Sequence, residues 1–321
     1  MAWAGRPHCL PPRAGPPASR YTWRHGRHAI GAVPAVEIPL GELSAGVTLA
    51  VLAGALLHAA WNAMLKSSAD KQLDTVAISV GAGLAGLAVA PFLPAPSLAS
   101  LPWLAASSLV HILYFMLLAG AYRWGDMSFT YPIMRGGGPV VVALAGAMLF
   151  GEVLDAAQTA GVALICGGVV SFAIVRTRDR VAFRRALGFA LGNAAVIATY
   201  TLLDARGARV SGSPVAYAMW FFAANGIVLY LYGGLRRGAE VPRYLLANGR
   251  RMAVGAVCTT GSYAIALWAM TKAPVALVAC LRETSVIFVA LIGAVFLRER
   301  FTLRRGFATL CVLAGLVALR L

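Results

Sequence analysis

From Gly46 onward the chain alternates apolar stretches of about twenty residues with short charged turns. Ten stretches occur, at 46–65, 74–93, 101–123, 127–149, 157–175, 186–203, 214–234, 251–271, 274–297 and 304–320. As helices they are long enough to cross the roughly 30 Å hydrocarbon core of a bilayer. In hydrocarbon each span must satisfy its own backbone hydrogen bonds, which selects helices over other forms. The turns leave no room for a water-soluble domain. The fold class that follows is all-α integral membrane, and any function must be carried by the bundle.

Charge agrees with this placement. Only 12% of residues are charged and 60% are hydrophobic, whereas about a quarter of a soluble domain is charged. The net charge of +16 would suggest nucleic acid in a soluble protein, but its distribution points to topology instead. Turns after the odd-numbered stretches hold seventeen basic residues; turns after the even-numbered ones, with the C-terminus, hold four: Arg206, Arg209, Lys272 and Arg320. Basic turns stay cytoplasmic, so both termini are expected outside, with the plasma (cell inner) membrane as the setting. The five arginines of residues 1–45 pull the other way. That segment also carries seven prolines and no acid before Glu37, and reads as a disordered or mis-started tail. Cys9, Cys166, Cys258, Cys280 and Cys311 show no metal-like spacing. No metal or cofactor site is expected.

The chain repeats itself internally. YPIMRGGGPVVVALAGAMLFGE ends at Glu152, and VACLRETSVIFVALIGAVFLRE ends at Glu299. A shift of 147 residues lays Arg135 on Arg282, Glu152 on Glu299 and Gly146 on Gly293. Two halves of five helices follow, 46–175 and 186–321. With an odd number of spans in each, the halves must be inverted, the arrangement by which secondary transporters enclose a site near the bilayer middle.

Ten spans in two such halves, with YPIMR…LFGE in one and APVALVACLRE…FLRE in the other, resemble the EamA branch of the drug/metabolite transporter superfamily. The resemblance covers 46–321. It implies ten transmembrane helices as two inverted five-helix repeats, and secondary export or exchange of a small polar or amphiphilic molecule, with a proton or ion gradient as the drive. The partners it implies are a small-molecule substrate and the lipid bilayer, with the chain as monomer or homodimer and no nucleic acid. The halves differ where Gly136-Gly137-Gly138 faces Glu283-Thr284-Ser285 in the alignment.

Ionisable groups at membrane depth are costly and need partners or water. Arg135, Arg282 and Glu283 lie several residues inside their spans. A guanidinium can grip an anionic solute in bidentate fashion, and Glu283 suits a proton- or cation-coupled carboxylate. A fixed intramembrane ion pair, or snorkelling to the headgroups, is the plainer alternative. Adjacent Arg282 and Glu283 project about 100° apart on a helix, so Glu283 is expected to meet Arg135 instead. The run from Pro132 to Pro139 is expected to kink or break the fourth span.

Polar-aromatic stripes complete the candidate pathway: His58, Trp61 and Asn62 on span 1; His111, Tyr114 and Tyr122 on span 3; Tyr131 one turn before Arg135; Asn193 and Tyr200 on span 6; Tyr217, Trp220 and Phe221 on span 7; and Tyr263 on span 8. They suit a cavity for a polar solute. Interfacial anchoring is the alternative for Trp103, Trp124 and Tyr217. Glu152 and Glu299 read as exposed helix-end charges. The competing function is an integral-membrane enzyme acting on lipid-linked substrates. His58 and His111 have no acid in motif spacing, so the chain is read as no enzyme; no GxxxxGK[ST] loop occurs, which argues against ATP-driven transport.

Overall fold

The structure, a computed structural model, describes residues 43–173, 179–296 and 303–319. Residues 1–42 and Glu299 lie outside them. Of the described residues 86% are helical, and none lies in a strand. In order, the helices are α1 (Ala45–Lys66), α2 (Lys71–Val89), α3 (Leu101–Trp124), α4 (Met127–Leu149), α5 (Ala156–Val170), α6 (Arg180–Val210), α7 (Pro214–Arg237), α8 (Glu240–Ala247), α9 (Gly249–Met270), α10 (Val275–Arg282), α11 (Ser285–Phe296) and α12 (Leu303–Ala318). Among the described residues, seven helical stretches are long and apolar enough to cross a membrane: α1 to α4, α6, α7 and α9.

The helix starts follow from local chemistry. Ser44, Asp70, Asp179 and Ser213 cap α1, α2, α6 and α7 by accepting from backbone N–H groups of the first turn. Asp155 and Gln158 form a reciprocal capping box at α5. Pro214 occupies the first turn of α7, where its missing N–H costs nothing.

Four spans depart from the sequence pattern. The fourth span stays one helix, with Pro132 and Pro139 inside α4. The ninth span breaks instead. Between α10 and α11 the N–H groups of Glu283 and Thr284 bond back only three residues, to Cys280 and Leu281, a tightened turn that marks strain or a hinge within a helix. The sixth span runs to Val210 rather than 203, which carries Asp204, Arg206 and Arg209 onto α6. The fifth helix ends at Val170, not 175, and the basic turn after α7 contains the short α8.

The outer surface is apolar. Leu49, Leu109, Met116, Leu144 and Leu310 are each about two-thirds exposed. A belt of this kind belongs in lipid, not water. Helix association in lipid depends on close packing at small residues. Here α2 meets α7 at Gly83 and Gly226, where a methyl on Gly83 would sit 2.9 Å from the partner's Cα. Similarly α5 meets α12, where a methyl on Gly315 would sit 2.8 Å from the Gly161 carbonyl oxygen. The other main pairings are α3 with α6, α4 with α6, α1 with α9, α2 with α9, α4 with α5, and α1 with α10 and α11.

The turns gather at two ends. At one, Arg237 pairs with Asp70 at 2.6 Å, Arg251 pairs with Asp74 at 2.8 Å and reaches the Met64 carbonyl, and Arg185 stacks over Trp124 at 4.3 Å. This end holds turns that follow odd-numbered stretches. At the other, Ser97 N–H donates to the Ser211 carbonyl at 3.0 Å, and Arg209 meets Glu152 at 2.6 Å. Those turns follow even-numbered stretches, as alternate crossing requires.

Candidate functional site

The bundle interior holds a line of polar side chains drawn from seven helices. On α1, Trp61 Nε1 donates to His58 Nδ1 at 3.3 Å and the Asn62 amide donates to the His58 carbonyl at 2.7 Å. Tyr131 of α4 makes a long contact, 3.5 Å, with Asn62 Oδ1. One turn further along α4 is Arg135, whose Nη2 lies 2.8 Å from Glu283 Oε1. Both side chains are almost buried, 12% and 5% exposed. The contact is close in distance but poorly aligned as a hydrogen bond. Arg135 Nε and Glu283 Oε2 are buried without a hydrogen-bond partner among the described residues.

The break between α10 and α11 is what aims these groups. Arg282 ends α10, and Glu283 sits in the turn. Leaving the helical path there lets neighbouring residues face different partners. Glu283 takes Arg135, while the Arg282 guanidinium lies 5.5 Å from the centre of the Tyr263 ring, within cation–π range. Among the described residues, Arg282 Nε is buried with no hydrogen-bond partner.

From Tyr263 of α9 the line continues to Asp204 of α6, which takes a hydrogen bond from the Tyr263 hydroxyl. Tyr217 of α7 donates to the other oxygen at 2.9 Å. Asp204 and Tyr217 are fully buried. Tyr200, one turn from Asp204, contacts the His111 ring at 4.1 Å and the Tyr114 ring at 6.0 Å. Phe221 stacks on Tyr263 at 5.3 Å. An aromatic wall thus flanks the two arginines.

The structure therefore brings together ten of the eleven predicted positions: Arg135, Arg282, Glu283, His58, Trp61, Asn62, Tyr114, Tyr131, Tyr200 and Tyr263. Trp220 is a correction. It is 45% exposed while Phe221 is buried, because adjacent residues on a helix face about 100° apart and Phe221 takes the inner direction. Tyr217 is likewise no interfacial anchor. Its ring lies against Gly207, where any side chain would collide with it.

Glu152 is the third correction. It is 7% exposed and is no free helix-end charge. One oxygen holds Arg209, and the other accepts the Val275 N–H at 2.7 Å, capping α10 from a distance. Arg209 also donates to the Met270 carbonyl at 2.8 Å. Burial pushes the Glu152 carboxyl above its ordinary range, and Arg209 pulls it part of the way back. At the opposite end, Asp70 is held below its ordinary range. The Leu73 N–H is the main cause, burial opposes it, and Arg237 adds to it.

Asp204 escaped the sequence reading because its apolar stretch was closed at 203, one residue short. The signal present was an acid one helical turn after Tyr200, followed by the small residues Ala205, Gly207 and Ala208 that permit close packing. Among the described residues, no group of three or more His, Cys, Asp or Glu is arranged to hold a metal.

A multi-pass helical membrane protein with a buried, charged and aromatic centre is the class these features define. Residues 184–321 match the model of the EamA-like transporter family, and residues 81–165 match that of the Small Multidrug Resistance protein. The chain is thus similar to EamA-like transporters over its second half and to Small Multidrug Resistance proteins over part of its first. A solved structure titled "Crystal structure of protein" shares its fold, with a TM-score of 0.61 at 16% identity over 85% of this chain and 94% of that one. No curated protein matches the sequence.

Proposed function

We propose that the chain is a secondary transporter that moves a small polar or amphiphilic solute through the polar centre, driven by a proton or ion gradient. The observation that carries this reading is the Arg135–Glu283 pair beside a helix break, with Arg282 next to it and its Nε without a partner among the described residues. A guanidinium whose bonds are incomplete is suited to an anionic group of the solute. In this reading the anion engages Arg282 first and then competes with Glu283 for Arg135. The aromatic residues Trp61, Tyr114, Tyr131, Tyr200 and Tyr263 supply apolar faces with polar tips for the rest of the solute.

The architecture in this reading is ten transmembrane helices in two inverted halves, 46–175 and 186–321. The pairing of helices supports it. Counting α10 and α11 as one span, the repeat relates α2 to α7 and α5 to α12, and each of these pairs packs on itself. It also turns the α3–α6 contact into α9–α1, and the α4–α6 contact into that of α10 and α11 with α1. Both partners of each relation are present. The end that holds Arg237 and Arg251 carries the basic excess and faces the cytoplasm of the plasma membrane in this proposal. A reporter active only in the cytoplasm, fused after Leu321, is then silent; an active one reverses the orientation.

The direct test is a ligand screen on purified protein by thermal stabilisation. A solute at a hundred times its Kd stabilises by about 2.7 kcal/mol. An anionic solute that stabilises the wild type but not Arg282→Ala supports the reading. A panel of amino acids, organic anions and amphiphilic drugs that leaves the wild type unmoved counts against it.

A further inference from the structure

The Arg135–Glu283 pair leaves one buried acid unexplained. Asp204 is fully buried on a helix long and apolar enough to cross a membrane. Among the described residues it has no basic nitrogen within ion-pair distance. Its carboxylate is met by two phenol hydroxyls, Tyr217 from α7 and Tyr263 from α9. The other groups around it are Tyr200 on its own helix, Ser107 from α3, and Arg282 from α10, which stands behind the Tyr263 ring. Further out, His111 of α3 and Arg135 of α4 reach Tyr200 rather than Asp204.

We propose that Asp204 is a proton-exchange site of the bundle, and that its protonation state sets how α6, α7 and α9 are joined. The use of that proton, coupling to solute movement, rests on the transporter reading above. An ionised carboxylate buried without a cation is costly, and one proton removes that cost. Glu283, by contrast, has a guanidinium at 2.8 Å to balance its charge.

The hydrogen-bond inventory gives the proton a structural consequence. As a carboxylate, Asp204 accepts from both tyrosines. As a carboxylic acid it carries an O–H of its own, which must donate. The proton enters from water and bonds to one oxygen; where the new O–H points at the tyrosine on that oxygen, the phenol turns its own hydrogen away and accepts. One of the two ties is thereby rewritten. If it is the tie to Tyr263, the change reaches the ring that supports Arg282. A proton bound at Asp204 is in this way felt at the solute-binding arginine, without contact between the two charges.

Infrared difference spectra of the full chain in lipid vesicles test this, with pH as the only variable. The expected result is a protonated-carboxyl stretching band that disappears as pH rises, is lost in Asp204→Asn and survives in Glu283→Gln. Asp204→Glu keeps a titrating band at a displaced frequency, which guards against a variant that merely misfolds. Tyr263→Phe removes a donor to the ionised form, so the midpoint moves to higher pH by roughly one to two units. A band that persists in Asp204→Asn and vanishes in Glu283→Gln overturns the proposal, as does a wild type with no titrating band. Vesicles that show the Asp204 band but move no solute refute the transport reading and leave the proton site standing. Solute movement without the band refutes the proton site alone.

Discussion

Arg135 and Glu283 come from distant parts of the chain and meet at 2.8 Å in the buried centre of the bundle. The contact ties α4 to the break between α10 and α11. Removing one partner of a buried pair leaves the other charge uncompensated, at a cost of about 3–5 kcal/mol. Glu283→Gln and Arg135→Met are each expected to lower the apparent Tm of the purified protein clearly. The double substitution Arg135→Met with Glu283→Leu is expected to recover most of the loss, because no charge is then stranded. Additive losses in the double variant would mean the two side chains do not depend on each other.

A second buried pair, Glu152 with Arg209, works differently. Glu152 holds a cation with one oxygen and caps α10 with the other, while Arg209 also donates to the Met270 carbonyl. Glu152→Ala is expected to cost about 3–5 kcal/mol. Arg209→Lys keeps the charge but loses the planar fork that reaches both partners, so its loss is expected to fall between wild type and Arg209→Ala. Chemical denaturation in detergent orders the three.

Helix packing at the glycines makes a steric prediction. A side chain on Gly83 or Gly226 strikes the backbone of the facing helix, whereas Gly234 has nothing within 4 Å of the added atom. Gly226→Val is expected to destabilise by at least the roughly 1–3 kcal/mol of an overpacked core. Gly234→Ala is expected to be nearly silent. Expression yield and Tm of the two variants, side by side, decide it.

Acid should loosen the end of the bundle where Asp70 caps α2. The folded state holds this carboxyl below its ordinary value, so its contribution is present above the ordinary carboxylate range and is lost as pH falls through the lowered folded value. The pair with Arg237 is about one-third exposed, so solvent screens it and its share is small. A Tm profile against pH is expected to be flatter on the acid side in Asp70→Asn than in the wild type.

What the sequence disclosed, and what it concealed, divides along a physical line. Seven of the ten spans, those that became α1 to α4, α6, α7 and α9, were legible because bilayer thickness imposes a length on them. The meeting of Glu283 with Arg135 was legible because neighbours on a helix cannot pair and a buried charge must. The fourth span was expected to kink or break, and the break lies elsewhere. Pro132, Gly136, Gly137, Gly138 and Pro139 look like a rupture, yet α4 runs through them, and Gly136 and Gly138 serve close packing against Val170 and Ile197. The true break, at Glu283 and Thr284, has no glycine or proline to announce it. Asp204 and Glu152 were hidden for a related reason. Each stands at the end of an apolar stretch, where a charge is ordinarily solvated, and only tertiary partners from α7, α9 and the start of α10 bury it.

Solute counterflow in vesicles is the most direct test of the central claim. Protein is reconstituted with an anionic solute that stabilises it inside the vesicles, and labelled solute is added outside. The account predicts uptake by the wild type, and loss of uptake in Arg282→Ala with folding intact. Uptake that is unchanged in Arg282→Ala, or absent from the wild type for every stabilising solute, would contradict it.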